Sequence, residues 1–405
     1  MTNVAQCRIT PPAFLSEPGL SAVLAVLPEA RVVGGAVRDA LAQLAPADVD
    51  LASPLPPEIV TQRLAAAGIK VVPTGLAHGT VTAVAAGRPI EITTLRRDVA
   101  TDGRHAVVAF TSDWCEDAAR RDFTINAMSM ARDGTVFDYF GGREDLQAGR
   151  LRFVGDPSRR VAEDYLRVLR FFRFFARYAA AEPDETTVAA LHNAVPRLAT
   201  LSVERVWHEL TLILKAPDPV AAVALMERLG VLAAVAPEGT DVAALARLVR
   251  KAAPADPLLR LAALLTGDVL AFAARLKLSA ADRDRLLALR AAPLATPRDD
   301  DARLRSLLAD TPVDVLTDAT WLAGGDGPEW DNLRDRLGKL PAPVFPLEGR
   351  DILALGLQQG PRVGEVLRAV RTWWLAGGCM ADTEACRDEA RHRIESAGHS
   401  ARPPR

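Results

Sequence analysis

The sequence predicts an α/β head carrying a mixed sheet, followed by an all-α remainder. Three observations carry this. Between about residues 20 and 150, short β-branched runs alternate with helical stretches, the pattern of a unit built on a sheet. After about residue 155 strand signals nearly vanish, and Ala, Leu and Arg recur with helical periodicity. A chain of 405 residues exceeds one ordinary core and calls for two to four packed units.

The strand runs, in order, are RVVGG from Arg31, VDLAS from Val49, KVVPTG from Lys70, TVTAVAA from Thr80, PIEITTL from Pro89 and AVVAF from Ala106. The helical part is interrupted by loop signals at AEPDE (181–185), KAPDP (215–219), AAPLATPRDD (291–300) and LPAPVFPLEG (340–349), where Pro and Asp punctuate the periodicity. These divide the chain into a head over 1–150, a helical neck over 151–215, a helical body over 216–300 and a helical tail over 301–405. The last ten residues, SAGHSARPPR, read as a frayed end.

Apolar residues make up 49% and charged residues 25%, which are globular values and exclude a fibrous or disordered chain. A net charge of −2 excludes a surface that is basic throughout, although a nucleic-acid partner needs only one basic face. Cys7, Cys115, Cys379 and Cys386 are too few and too scattered for a disulfide framework and form no CxxC pair, which fits a reducing, cytoplasmic setting. No basic and apolar leader opens the sequence, and no run of about 18 uncharged apolar residues occurs, so secretion and membrane spanning are not expected.

Chemistry first becomes visible at Arg31 to Leu41, RVVGGAVRDAL. Gly34 and Gly35 permit close backbone approach where a strand feeds a helix, and Arg38 follows one turn in, so the segment reads either as a cradle for an anion or as a tight packing turn. Next comes Asp48-Val49-Asp50, two carboxylates two residues apart, which a strand would present on one face. Side-by-side carboxylates repel unless a divalent cation lies between them, and all-oxygen ligation suits Mg²⁺ bound with substrate phosphates. Glu91 is the candidate third acid, with the alternative of holding an arginine such as Arg38 or Arg121.

GGAVRD and DVD, then RRDFTINAM from Arg120, then EDYLRVLRFFRF from Glu163, occur in the order of the motifs of class II tRNA nucleotidyltransferases. The chain therefore resembles the CCA-adding enzymes and their bacterial poly(A) polymerase relatives, closely over about residues 30–215 and loosely beyond. The resemblance implies a polymerase-beta-like nucleotidyltransferase head. It also implies template-independent addition of C, C and A to the 3′ end of tRNA from CTP and ATP, by two-metal transfer that releases pyrophosphate. Asp48 and Asp50 would hold the metal, with Glu91 beside them, while Gly34, Gly35 and Arg38 would take the triphosphate. In the family, the RRD motif selects ribose, which assigns Asp122 and Asn126 to sugar hydroxyls and Arg121 to phosphate; an ordinary helix cap is the alternative reading of Asp122.

Glu163, Asp164, Arg167 and Arg170 fall at helical spacings that place Arg167 beside both acids. This pattern can be a plain salt-bridge stripe or, as the resemblance implies, the base-recognition site. A carboxylate accepts from an exocyclic amine, and a guanidinium donates to a ring nitrogen or carbonyl. Cytosine and adenine both present an amine beside an acceptor nitrogen, whereas uracil and guanine present a carbonyl beside an N–H. Asp164 and Arg167 could thus admit CTP and ATP and reject UTP and GTP.

The polar stretch from Arg96 to His105 corresponds to a family loop that helps switch from C to A addition, or else is a surface hairpin. His78 reads as structural. Asp138, Gly142 and Arg152 match a family motif linked to movement of head and neck. Around Leu201 to Leu210, Ser202 could cap a helix while Glu204, Arg205 and Glu209 brace the preceding one. Residues 150–177 hold eight arginines against three acids, a candidate phosphate-binding stretch. The turn from Gly356 to Leu367 offers another phosphate contact or a plain helix-helix turn, and Trp373 and Trp374 read as core. The rivals are a poly(A) polymerase of the same class, a catalytically inactive RNA-binding module, and a head fused to a phosphohydrolase; intact Asp48 and Asp50 and the lack of a downstream His-Asp pair oppose the last two. Oligomeric state is not legible.

Overall fold

The computed structural model describes residues 5–101 and 106–399. They form two compact units, 1–237 and 238–405, each treated by itself.

Unit 1 begins with strand β1 (Ala5–Arg8) and helix α1 (Pro18–Val26), then β2 (Arg31–Val33), α2 (Gly35–Leu41), β3 (Asp50–Ser53), α3 (Pro57–Ala66), β4 (Lys70–Gly75), β5 (Thr80–Ala85) and β6 (Arg88–Thr94). A hairpin of β7 (Arg96–Thr101) and β8 (Ala106–Phe110) follows, then α4 (Trp114–Ala119), β9 (Ser129–Met130), β10 (Thr135–Asp138) and α5 (Gly142–Gln147). Eight strands make one sheet in the order β1-β10-β9-β2-β3-β6-β5-β4, with β7 and β8 paired separately. The β3–β6 pair is parallel, with Leu51 opposite Ile92; β2 and β3 run antiparallel, with Val33 opposite Asp50. The mixed sheet expected of the head is therefore present, with every predicted strand run in place. The short strands β1, β9 and β10 lacked a run long enough to register as a pattern.

Leu20, Val23, Leu24 and Leu27 recur at helical spacing along and just past α1 and are buried with Val32, Leu51, Val81 and Ile92 of the sheet. Such side chains stabilise by about 1.5–3 kcal/mol each when fully buried. The sheet is thereby a fixed platform, and its two central strands, β2 and β3, deliver Gly34 and Asp50 to the same end of the sheet.

Helices α6 (Pro157–Glu163), α7 (Leu166–Tyr178), α8 (Glu185–Asn193), α9 (Val203–Leu214), α10 (Val220–Arg228) and α11 (Val231–Val235) complete unit 1. In α7 the residues Leu166, Leu169, Phe172 and Phe175 are buried, while Arg167, Arg170 and Arg173 occupy another face. One helix from Arg160 through Arg173 was expected; the structure breaks it, with Asp164 extended (φ −156°, ψ 109°) between α6 and α7. Ser202 stands at the N-cap position of α9, yet its hydroxyl makes no capping bond.

Unit 2 is helical throughout its described residues: α12 (Val242–Arg250), α13 (Pro257–Leu264), α14 (Val269–Arg275), α15 (Ala280–Ala291), α16 (Asp301–Leu308), α17 (Val313–Leu322), α18 (Pro328–Lys339), α19 (Gly349–Ala354), α20 (Pro361–Ala376) and α21 (Thr383–His399). Its apolar residues gather in separate clusters, one around Leu304, Leu316 and Leu333 and another around Ile352, Val370 and Trp374. Trp374 is buried there, whereas Trp373 is exposed. Residues 396–399, expected to fray, belong to α21, and residues 400–405 lie outside the described residues. The Gly356–Leu367 segment forms the turn between α19 and α20 and the start of α20.

Candidate active site

The chain turns sharply at Gly34, whose φ of +68° only glycine adopts freely. A Cβ there would sit 2.9 Å from Nη1 of Arg121, so this glycine admits a guanidinium directly above the backbone. Gly34, Gly35, Arg38, Arg120, Arg121, Asp122, Asn126, Asp164, Arg167, Arg170 and Phe174 together line a cleft of about 380 Å³. Nine of the sequence-predicted site residues thus meet, from segments as far apart as α2 and α7.

Arg38 is buried, and each of its three guanidinium nitrogens donates a hydrogen bond within the protein. Its Nε and Nη2 donate to Asp39 Oδ1 at 3.0 and 2.9 Å, and its Nη1 donates to Asn126 Oδ1 at 2.6 Å. The Tyr178 hydroxyl donates to the same Asp39 oxygen at 2.5 Å, and the Arg38 guanidinium lies 4.3 Å from the centre of the Tyr178 ring. Asn126 in turn donates through Nδ2 to Asp122 Oδ1 at 3.0 Å.

Asp122 also accepts from the Phe123 N–H at 2.9 Å and, on Oδ2, from Nε of Arg170 at 2.8 Å, with Nη2 of Arg170 in ion-pair contact at 2.6 Å. Burial alone would raise its pKa, but Arg170, Asn126 and the Phe123 N–H outweigh it and hold the carboxyl below the usual range. Arg120 and Arg121 are steadied by buried Asp117, at 2.9 and 3.1 Å. Below them, buried Asp145 accepts from the Thr124 hydroxyl at 2.7 Å and from Arg152, while Asp138 accepts three backbone N–H groups, including that of Gly142. A Cβ on Gly142 would lie 2.1 Å from the Thr124 carbonyl. Asp138, Gly142 and Arg152 therefore brace the RRDFTINAM segment.

At the break between α6 and α7, Asp164 accepts from the Leu166 N–H and from Arg205 of α9 at 2.7 Å. Arg167 donates to Glu163 at 2.5 Å and to the Arg160 carbonyl. Each acid thus takes a different arginine, and Asp164 and Arg167 both keep their remaining hydrogen-bonding positions on the cleft wall. Arg173 pairs with buried Glu209 of α9 at 3.0 Å, so α9 braces α7 through Glu209 and the α6–α7 break through Arg205.

The acids lie at the start of the central strand β3, beside this cleft. Asp50 opens β3 and Asp48 precedes the strand in the connection from α2, so only one of the pair is a strand residue; both are exposed and Val49 between them is half-buried. The Asp50 carboxyl is pushed up, first by loss of surrounding water and then by the charges of Glu91 and Asp48, with Arg121 opposing. Three acids therefore share one field, the condition a cation relieves. Glu91 acts there through its charge, since Arg38 and Arg121 are held by Asp39 and Asp117 instead. Among the described residues no three His, Cys, Asp or Glu side chains converge to enclose an ion; two aspartates supplemented by water and phosphate oxygens remain a donor set that Mg²⁺ accepts.

Of the residues the sequence reading did not single out, Asp117 was legible, because it stands three and four residues before Arg120 and Arg121. Asp39 sits inside GGAVRD but carries no signal of its own, and Tyr178 is 139 residues from its partner. His105 and Gly103 lie outside the described residues, and His78 offers its carbonyl to Arg96.

Residues 30–152 match the poly(A) polymerase head domain, and residues 182–242 match a domain described as the probable RNA and SrmB-binding site of polymerase A. The CCA tRNA nucleotidyltransferase 1, mitochondrial, of Danio rerio is 37% identical over 361 residues, spanning 85% of this chain and 83% of the zebrafish protein. The chain belongs to the CCA-adding enzyme and poly(A) polymerase family. Within that family, the CCA-adding enzyme of Geobacillus kaustophilus is 33% identical across 84% of this chain and 87% of its own length. The crystal structure of the Bacillus stearothermophilus CCA-adding enzyme in complex with CTP superposes with a TM-score of 0.76 at 28% identity, covering 95% of this chain and all of that one. The Thermotoga maritima CCA-adding enzyme complexed with tRNA shares the fold, with a TM-score of 0.68 at 21% identity over 96% and 99% of the two chains. Members of this nucleotidyltransferase family use divalent metal, and no described helix is long and apolar enough to cross a membrane.

Proposed function

We propose that this protein adds C, C and A to the 3′ end of tRNA from CTP and ATP. The observation that carries the reading is that Asp164 and Arg167 line one cleft with Arg121, Asp122 and Asn126, beside the acids Asp48 and Asp50. A CTP-bound relative superposes along nearly the whole chain.

Within the cleft, Asp164 accepts the exocyclic amine of cytosine or adenine and Arg167 donates to the adjoining ring nitrogen or to cytosine O2, while Glu163 holds Arg167 in place. Arg170 completes the base side. Asn126 and Asp122 meet the ribose, and a 2′-deoxy sugar forfeits the hydrogen bond that the 2′-hydroxyl makes there. Arg121, with the backbone at Gly34 and Gly35 and the Arg38 guanidinium that lines the cleft beside them, faces the triphosphate. Asp48 and Asp50 would hold Mg²⁺, with Glu91 adding negative charge, and the metal would supply acidification of the tRNA 3′-hydroxyl and charge stabilisation of the departing pyrophosphate. The 3′-oxygen attacks the α-phosphorus as the bond to pyrophosphate breaks and the hydroxyl proton is lost. Four free cysteines favour a reducing compartment, the cytoplasm by this reading, although the vertebrate relatives are mitochondrial by name.

The test is to incubate tRNA lacking its terminal C, C and A with each labelled nucleotide singly and together. Products that stop after C, C and A support the reading; long A tails would establish the poly(A) polymerase alternative.

A further inference from the structure

We infer that Asp39 and Tyr178 are positioning residues that set the enzyme's choice of ribose over deoxyribose. The inference rests on the reading of Asp122 and Asn126 as the ribose contacts. Neither residue lines the cleft, but both determine what the cleft presents. Asp39 is buried and gathers Nε and Nη2 of Arg38 together with the Tyr178 hydroxyl on one oxygen. The guanidinium is also held beneath the Tyr178 ring. Arg38 is left with Nη1 to donate, and this group reaches Asn126 Oδ1.

An amide side chain can rotate to exchange its oxygen and nitrogen. Here a donor on one side and the Asp122 carboxylate on the other fix it, because the rotated amide would set N–H against guanidinium and oxygen against carboxylate. Asn126 therefore directs only N–H groups at Asp122 and the cleft. If Arg38 is released, that orientation loses its anchor and the sugar contact becomes indifferent to the 2′-position. Tyr178 closes α7, the helix that also bears Arg167 and Arg170, so ribose selection is set by a residue on the base-reading helix.

The experiment compares kcat/KM for CTP and dCTP on tRNA lacking its 3′ end, using the full chain and the variants Asp39→Asn and Tyr178→Phe. The expected result is a CTP to dCTP preference lowered on the order of tenfold by Asp39→Asn, the worth of one hydrogen bond to a charged group, and by less in Tyr178→Phe. The KM for tRNA stays unchanged. A purely structural role would lower both nucleotides equally, and an unaltered ratio in folded variants overturns the inference. Should Asp39→Asn fail to fold, Tyr178→Phe, which removes only a hydroxyl, decides the matter alone. A wild-type enzyme without preference for CTP over dCTP would overturn the ribose assignment itself.

Discussion

Asp122 is buried at the cleft and accepts hydrogen bonds from Phe123, Asn126 and Arg170. Its pKa is depressed in the folded state, so its interactions contribute stability that is present above about pH 4 and is lost as pH falls through the lowered value. Replacing Arg170 by Gln leaves burial as the dominant influence and reverses the shift. The variant should therefore lose about 1–3 kcal/mol at neutral pH, toward the lower end because the Arg170 side chain is about a third exposed. The deficit relative to wild type should shrink only as pH falls from about 4 through the lowered wild-type value, beneath which both proteins carry a protonated Asp122; thermal melts followed by circular dichroism at pH 7 and at successive values below pH 4 measure it. At the start of β3, Asp48→Asn should lower incorporation by about a thousandfold or more, consistent with the several kcal/mol that metal-held charge stabilisation supplies. Filter binding of tRNA should be preserved. Single residues of this kind were legible because the chemistry demands them at fixed spacing. Asp39 and Tyr178 were not, because their meaning arises only from packing.

The break between α6 and α7 is the element that sequence periodicity concealed. Residues 163–165 are Glu, Asp and Tyr, with no glycine or proline to interrupt a helical pattern. What stabilises the break is tertiary, since Asp164 turns to cap the Leu166 N–H and to meet Arg205 from α9. The excess of arginines over 150–177 had a similar blind spot: Asp145, Asp122 and Glu209, outside that window, pair with Arg150, Arg152, Arg170 and Arg173. Much of the apparent basic stretch is therefore internally neutralised. The glycine turn, by contrast, was visible and gives a sharp prediction. Gly34→Ala puts a side chain at φ +68°, about 1–2 kcal/mol of backbone strain, and presses on Arg121. Turnover should fall while the melting temperature drops only by several degrees, as paired kinetic and calorimetric measurements would record.

At the scale of the molecule, composition correctly separated an α/β head from a helical remainder. It could not say which helices join which core, because periodicity reports that a face is buried and not what covers it. Helices α6 to α11 belong to the compact unit that contains the sheet. A protein of net charge −2 that binds tRNA must do so through local basic surface, so its affinity should fall steeply with salt. Six or more phosphate contacts would correspond to about a thousandfold loss between 50 and 200 mM, and a log–log plot of binding against salt gives the number directly. Chelation by EDTA should abolish incorporation, with activity restored by Mg²⁺.

The pairing of Arg170 with Asp122 has a kinetic meaning as well. Asp122 already accepts hydrogen bonds from Phe123, Asn126 and Arg170 and is ion-paired with a second nitrogen of Arg170, so a sugar hydroxyl competes with partners the protein itself supplies. Nucleotide binding at this carboxylate is an exchange, its gain measured against a contact the protein already makes. A cleft that restores its own contact when emptied is not left with a bare buried charge between one addition and the next. Successive turnovers with two different nucleotides can then begin from the same internally satisfied state.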